Sequence, residues 1–274
     1  MAENRFNVPT YLLRREQVLV VAVCALVLAS IPLMLGHIGL SWDALNHHIY
    51  LGWMADQLRF DKDYLAASYQ SYQYPYLYWP VYKLALGGAS GVAAGMALAM
   101  LHLLAAPAIW QIARTCIPGV EWFDLVMRAI AVALAFMSGV VLSMFDSTAN
   151  DLLAAIPLVW SIALALEPLA GTNKNEASLR RKMVISGLLA GVSVAFKLSN
   201  GPIAIVLPLL WVWIEGGVSA RLRRLVLAGL CMVLGFLLAY GYWGWQLWTH
   251  FGNPLYPFFD NQFELAREIF RWGR

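Results

Sequence analysis

Long uninterrupted runs of hydrophobic residues make up most of the chain, and short polar segments separate them. A helix needs roughly 20 apolar residues to cross a bilayer, because its backbone polar groups must be satisfied within the segment. Seven runs predict transmembrane helices, at residues 17–36, 88–113, 125–145, 152–169, 183–196, 202–214 and 225–248. The fifth and sixth are short, and the Ser-Asn-Gly-Pro sequence between them is typical of a tight helical hairpin. The pattern predicts an all-α, polytopic bundle in which residues 1–274 form a single transmembrane domain.

The composition supports a membrane location and excludes other classes. Of the 274 residues, 61% are hydrophobic and 13% are charged, whereas soluble domains are nearer 45–50% apolar and about a quarter charged. The net charge of +3 is too small to indicate nucleic-acid binding, so we expect no nucleic-acid partner. The three cysteines have no paired spacing and predict neither a disulfide framework nor a zinc site.

The positions of Lys and Arg predict the orientation. With seven spans, three basic clusters fall on one side, which the positive-inside rule makes the cytoplasm. The clusters are Arg5, Arg14 and Arg15; Lys174, Arg180, Arg181 and Lys182; and Arg221, Arg223 and Arg224. We therefore expect a protein of a bacterial inner membrane with a cytoplasmic N-terminus, an external loop at 37–87 and an external tail at 249–274. An eighth short span at 76–87 would invert everything after it, but its aromatic residues and its lysine favour a helix in the headgroup region.

The first external loop contains a candidate catalytic stripe. On a helix, Asp43, Asn46, His47 and Tyr50 are spaced i, i+3, i+4 and i+7 and share one face. Such a face could deprotonate an acceptor hydroxyl or bind a polar headgroup; the alternative is a solvated face capped by its aspartate. A metal site at His47 and His48 would need ligands from elsewhere, because adjacent side chains on a helix point about 100° apart. We predict no metal site.

Three further ionisable residues lie at the predicted external ends of spans. Asp146 and Asp151 flank the loop between the third and fourth spans, where a carboxylate is costly unless it faces water, a cation or a donor. Asn150 or Asp151 could instead be an ordinary N-terminal cap of the fourth helix. Lys197 ends the fifth span on the external side, where it could meet a phosphate or simply extend towards water. The sequence leaves both interpretations open for each residue.

The second half of the first loop is rich in aromatic residues. Tyr72 and Tyr74 belong to a dense run of tyrosines that favours the membrane boundary and is also compatible with stacking on a sugar. Lys83, close behind, is a further candidate for an anionic headgroup. The tail turns at a Gly-Asn-Pro-Leu-Tyr-Pro sequence and then becomes amphipathic, which predicts a helix on the outer surface.

The order of these features resembles the C-type (GT-C) membrane glycosyltransferases, which are related to protein mannosyltransferases and aminoarabinose transferases. The shared features are an acidic residue after the first span, helices in a large first loop, an Asn-Asp pair before the fourth span, a lysine ending the fifth and a Gly-Asn-Pro-Leu-Tyr-Pro-Phe-Phe exit. The resemblance implies that the protein takes a sugar from a polyprenyl-phosphate carrier on the non-cytoplasmic face. It covers nearly the whole chain.

The resemblance also implies roles for individual residues. Asp43 would be the catalytic base or would orient the acceptor, and Asp151, with Asp146 beside it, would be the second acidic position. Lys197 would lie near the carrier phosphate, and residues 72–83 would form the aromatic wall of the sugar cavity. No cofactor is required, although a divalent cation is compatible with the scheme. The chain departs from the family in having Asp-Ala where Asp-Glu is often found, and in stopping after a seventh span, as a short or truncated member would.

Two classes of function therefore follow from the sequence. The first is a glycosyltransferase whose partners are a polyprenyl-phosphate-sugar donor and membrane lipids. The second is a non-catalytic membrane subunit of a larger complex built on the same scaffold. A transporter is less favoured, because the polar residues gather outside rather than near the midplane.

Overall fold

The computed structural model of the protein describes residues 7–39, 41–64, 66–145, 147–171 and 175–270. Helices dominate this part of the chain, as the all-α prediction requires. Twelve α-helices are labelled in chain order: α1 Thr10–Leu35, α2 Ile49–Asp56, α3 Trp79–Leu86, α4 Gly91–His102, α5 Ala106–Cys116, α6 Trp122–Phe136, α7 Gly139–Met144, α8 Asp151–Leu169, α9 Glu176–Phe196, α10 Gly201–Ala204, α11 Val218–Phe251 and α12 Asp260–Ile269. The described residues also include a short strand, Ala66–Tyr69.

Within the described residues, four helical segments are long and apolar enough to cross a membrane. They are Thr10–Leu35, Gly91–Cys116, Asp151–Leu169 and Val218–Phe251, and they correspond to the predicted first, second, fourth and seventh spans. The second runs through α4 and α5, joined by the 3-10 turn Leu103–Ala105. The helical fold class and the membrane character are thus confirmed, while the total of seven transmembrane spans stays a prediction.

The other three predicted spans have a different form. The third is divided into α6 and α7 near Ser138, whose hydroxyl accepts a hydrogen bond from Val141 N at 3.2 Å and so caps the second helix. The sixth is irregular: α10 has four residues and is followed by the 3-10 helix Leu207–Val212. Pro202 and Pro208 contribute to this break, because each lacks a backbone donor for the helical ladder. The fifth, α9, is regular over 21 residues.

α9 packs between α8 and α11 through small residues. The Ser161 hydroxyl on α8 donates to the Ser186 carbonyl on α9 at 2.8 Å. A Cβ atom at Gly191 of α9 would lie 2.5 Å from Phe236 N of α11, and one at Gly235 would lie 2.8 Å from Leu188 Cα. The backbones therefore approach as closely as glycine permits, which is a common way for membrane helices to associate.

Polar contacts join four helices at one end of the bundle. Glu167 on α8 pairs with Lys182 on α9 and accepts a hydrogen bond from Gln111 Nε2 on α5 at 2.9 Å. The neighbouring Trp110 donates to Glu16 on α1 at 3.2 Å. The start of α1, the ends of α5 and α8, and the start of α9 therefore lie together.

Residues from all three basic clusters of the sequence lie at this same end. Arg180 from α9 lines a cavity together with Arg223 and Arg224 from α11. Arg14 and Arg15 directly precede Glu16, which Arg128 contacts at 2.9 Å. We call this the arginine end of the bundle.

The first loop packs on the opposite end. Leu51 and Met54 of α2 join Tyr78, Tyr240 and Trp243 in one buried cluster. α3 has eight residues and is about 12 Å long, far short of the roughly 30 Å needed to cross the hydrocarbon. The alternative that residues 76–87 form an eighth span therefore receives no support.

Candidate functional site

A cavity of about 300 Å³ opens at the end opposite the arginine end. Five parts of the chain form its walls: the first loop, the start of α8, the end of α9, α11 at Tyr240, and the segment after α11. Polar and ionisable side chains thus gather where several apolar helices end, which makes this cavity the candidate site.

The structure brings six of the nine predicted site residues to this cavity: Asp43, His47, Tyr72, Tyr74, Asp151 and Lys197. Asp146 lies outside the described residues. The remaining two, Tyr50 and Lys83, do not line it.

The helical stripe predicted in the first loop is divided by a change of helix type. Residues 44–48 form a π-helical turn, whose hydrogen bonds join residues five apart instead of four. Asp43 and His47 still face the same cavity, with 3.8 Å between Asp43 Oδ1 and His47 Nδ1. Asn46 instead donates to Gln70 Oε1 at 2.9 Å, and Tyr50 donates to Asp63 at 3.4 Å.

Lys83 is held elsewhere by a partner that the sequence pattern did not suggest. α3 packs against α2, which places Lys83 Nζ 2.7 Å from Asp56 Oδ1. Lys83 thus pairs with a carboxylate of the same loop and does not line the cavity, and its role at a substrate phosphate stays a prediction.

Asp151 and Lys197 form an ion pair across the cavity wall. Asp151 is the first residue of α8, where the helix dipole favours a negative charge, and Lys197 follows the last residue of α9. Both side chains stay partly open to solvent, with 40% and 33% of their surfaces exposed. The pair is therefore within reach of a ligand in the cavity.

The turn after Lys197 is anchored to both neighbouring helices. Asn200 Nδ2 donates to Ser193 Oγ of α9 at 2.8 Å and to the Ala154 carbonyl of α8 at 3.2 Å. Ser193 Oγ in turn donates to the same carbonyl at 2.8 Å. These bonds fix the hairpin and hold Lys197 beside Asp151.

His48 is a site residue that the stripe analysis missed. The π-helical turn brings it, five residues after Asp43, to the cavity wall. Its Nδ1 and Thr148 Oγ1 form a buried hydrogen bond of 2.6 Å, and its ring stacks on Tyr78 at 4.6 Å. The contact joins the first loop to the segment before α8, and so fixes the position of Asp43 relative to Asp151 in the cavity wall.

Burial keeps both imidazoles neutral near pH 7. It lowers the pKa of His47, an effect that Asp43 opposes and Lys197 reinforces. Burial, together with the adjacent His47, lowers the pKa of His48 to about 4, against the opposing effect of Asp43 and Asp151. Among the described residues no hydrogen-bond partner is found for the buried His47 Nδ1, so a small approach of Asp43 would satisfy it.

Aromatic rings line the side of the cavity that faces α11. Tyr74 stacks on Phe196 and on Tyr240, with ring centroids 5.7 Å and 6.1 Å apart. Tyr72 meets Tyr256 edge to face at 4.7 Å. Burial raises the pKa of Tyr72 and of Tyr74, so both phenols stay protonated and can donate hydrogen bonds. Aromatic faces and phenol donors suit a sugar ring.

Next to the cavity, an apolar groove of about 450 Å³ follows the outer surface of α11. Tyr240 borders both the cavity and the groove, and Leu237, Trp245 and Leu255 are among the apolar residues that line the groove. A ligand with a polar head and a long apolar tail could therefore occupy the two together.

No group of three or more His, Cys, Asp or Glu side chains in the described part of the chain is arranged to hold a metal ion. No protein-family model, curated protein or solved structure matches this chain. The inference about function therefore depends on the geometry of the cavity itself.

Proposed function

We propose that this protein is a membrane glycosyltransferase of the GT-C kind, which moves a sugar from a polyprenyl-phosphate carrier to an acceptor hydroxyl. The observation that carries the proposal is that Asp43, Asp151 and Lys197, far apart in the sequence, border one cavity. That cavity combines a candidate base, a cation for a phosphate and aromatic walls for a sugar, and it adjoins a groove for an apolar tail.

The proposed orientation places the cavity on the non-cytoplasmic side of a bacterial inner membrane. The arginine end is cytoplasmic by the positive-inside rule, with the N-terminus there and the tail external. α11 has 34 residues and is about 50 Å long, so it extends well beyond the roughly 30 Å hydrocarbon core. Tyr240 lies about 24 Å along this helix from Arg224, which puts the cavity near the outer boundary.

Seven spans fit this orientation. α9, with its 21 residues, is about 30 Å long and runs from the arginine end to the cavity, as a fifth span would. The divided segments at 122–144 and 198–212 are buried partly against neighbouring helices and supply the third and sixth crossings. Broken helices are tolerated in membranes where neighbouring elements satisfy the freed backbone groups.

Donor binding would use both parts of the site. The polyprenyl tail lies in the apolar groove along α11, and the phosphate reaches the cavity past Tyr240. There Lys197 provides the positive charge, exchanging part of its contact with Asp151 for the phosphate oxygens. The sugar then rests against Tyr74 and the neighbouring rings.

The transfer step follows from these positions. The acceptor oxygen attacks the anomeric carbon, the bond between that carbon and the phosphate oxygen breaks, and Asp43 takes the proton of the acceptor hydroxyl. Lys197 stabilises the negative charge that builds up on the departing polyprenyl phosphate. The 54% exposed side chain of Asp43 is accessible for this role, and Asp151 orients the acceptor. The scheme needs no soluble cofactor and is compatible with a divalent cation.

A substitution at Asp43 tests the mechanism. Purified Asp43→Asn protein, reconstituted in vesicles with radiolabelled polyprenyl-phosphate mannose or aminoarabinose, should lose about 10²- to 10⁴-fold in transfer rate, the usual contribution of a general base. Asp61→Asn is the matched control, because Asp61 is an exposed aspartate of the same loop that does not line the cavity. Equal rates for wild type and Asp43→Asn would exclude Asp43 from the mechanism.

The alternative is a non-catalytic subunit of a membrane complex. The observation that favours it is α12, an external helix on which Leu265 and Ile269 are each about two-thirds exposed, as is Phe270 directly after it. Affinity purification in mild detergent separates the two functions. A stoichiometric protein partner without bound polyprenyl lipid supports the subunit, whereas co-purified polyprenyl phosphate without a partner supports the transferase.

A further inference from the structure

A second polar cavity, of about 470 Å³, lies at the arginine end, remote from the site described above. Its walls come from the first turns of α9 and α11, and its floor is apolar, formed by Leu179, Met183 and Leu227. A charged rim over an apolar floor, at the end of two membrane helices, is complementary to a phospholipid, in which a charged headgroup adjoins apolar acyl chains.

Positive charge predominates at the rim. Arg180, Arg223 and Arg224 line the cavity, against a single acidic side chain, Glu176. Arg224 has a structural role, because its guanidinium donates to the carbonyls of Ile214 and Glu215 at 3.0 and 3.1 Å.

The other two arginines are available for a ligand. Arg180 and Arg223 are exposed, and neither makes a hydrogen bond or an ion pair with any residue that the structure describes. They come from different helices and border the same opening. Two guanidinium groups on either side of a cavity suit a phosphate, which accepts their paired N–H donors.

We infer that this cavity binds the phosphate headgroup of an anionic phospholipid in the leaflet at the arginine end. Basic pockets between transmembrane helices on the cytoplasmic side are suited to anionic headgroups, and here the two arginines bind the phosphate while the apolar floor contacts the glycerol and the first acyl carbons. The inference does not depend on sugar transfer, because it concerns the other end of the bundle. A free phosphate shares the headgroup chemistry but would gain nothing from the floor.

The test compares two pairs of substitutions that remove the same charge. Delipidated full-length protein in a neutral detergent is titrated with phosphatidylglycerol, phosphatidylcholine or inorganic phosphate, and binding is followed by native mass spectrometry. In Arg180→Gln/Arg223→Gln, phosphatidylglycerol affinity should fall about 30-fold, from the effect of two arginines near a headgroup. In Arg181→Gln/Arg221→Gln, whose positions do not line the cavity, it should stay within about 3-fold of wild type.

The outcomes are distinct. Preference for phosphatidylglycerol over phosphatidylcholine, lost only in the Arg180/Arg223 variant, supports the site. An equal loss in both variants would show that the basic surface as a whole attracts the lipid, and equal binding of phosphatidylcholine would show that charge is irrelevant; either overturns the inference. Inorganic phosphate binding as tightly as phosphatidylglycerol would make this a site for a free anion and overturn the lipid assignment. Size-exclusion profiles and thermal midpoints verify that both variants fold.

Discussion

The close packing of α9 on α11 predicts that a single methyl group will damage both stability and the site. In Gly191→Ala, the new Cβ would lie 2.5 Å from the Phe236 backbone N and closer still to the Met232 carbonyl. The Met232 carbonyl oxygen would lie 1.9 Å from this Cβ. Ordinary contact requires about 3.4 Å, so the two helices must separate by roughly 1.5 Å, and backbone atoms cannot rotate away as a side chain could. Overpacking of this kind costs about 3 kcal/mol.

The same displacement should impair the candidate site. Gly191 lies less than two turns before Lys197 on α9, so a shift of α9 moves the lysine relative to the residues of the first loop. A misplacement of about 1 Å can reduce a rate by about 10²-fold. The thermal midpoint should fall by roughly 10 °C.

Gly229→Ala on α11 is the matched control, because a Cβ there meets nothing within 4 Å. Replacing a mid-helix glycine by alanine in open space should stabilise the protein by about 0.5–1 kcal/mol. The two variants should therefore shift the midpoint in opposite directions in a thermal unfolding assay of the purified protein in detergent. Gly191→Ala as stable as wild type would refute the packing of α9 on α11 described here.

Three other predictions concern charge. Lys197→Met should reduce sugar transfer by about 10²- to 10³-fold in the vesicle assay, while Lys197→Arg retains most of it; equal rates would contradict the role at the phosphate. Arg128→Met should destabilise the protein by about 3–5 kcal/mol in thermal unfolding, because it leaves the buried Glu16 carboxylate with only Trp110 and the more distant Arg114, and adding Glu16→Gln should restore most of the loss. The folded-state pKa of His48, about 4, is below the unfolded value near 6.5. The contribution of the neutral His48 to folding stability is therefore complete above pH 6.5 and is lost as the pH falls towards 4. His48→Gln should therefore flatten the fall of the thermal midpoint over this pH range, and an unchanged slope would contradict the burial of a neutral His48.

The parts of the fold that were predictable are those where hydrophobicity alone decides. The apolar runs of α1, α8 and α11 needed only a length and composition argument. The division of the third span at Ser138 was not visible, because one capping serine within an apolar run also fits a continuous helix. The irregular sixth segment shows the same limit, since prolines near a helix start are tolerated in some contexts and break the helix in others.

The candidate site was partly predictable for a similar reason. Asp43, Asp151 and Lys197 stand out because charge at the end of an apolar run is costly without a role. Lys83 has the same appearance in the sequence, but its partner Asp56 is brought near only by the packing of α3 on α2. His48 reaches the cavity through a π-helical turn that the usual helical spacing does not describe. Tyr240 reaches it because α11 packs along α9 as far as the cavity.

The central claim, that the cavity and the arginine end lie on opposite faces of the membrane, can be tested by labelling single cysteines. Ser199→Cys beside the cavity and Ser219→Cys beside Arg221 would be introduced separately after the native Cys24, Cys116 and Cys231 are replaced by alanine. In intact cells, a membrane-impermeant maleimide should label position 199, and position 219 should react only after the membrane is permeabilised. Labelling of both positions from the same side would contradict the orientation and the proposed transferase with it.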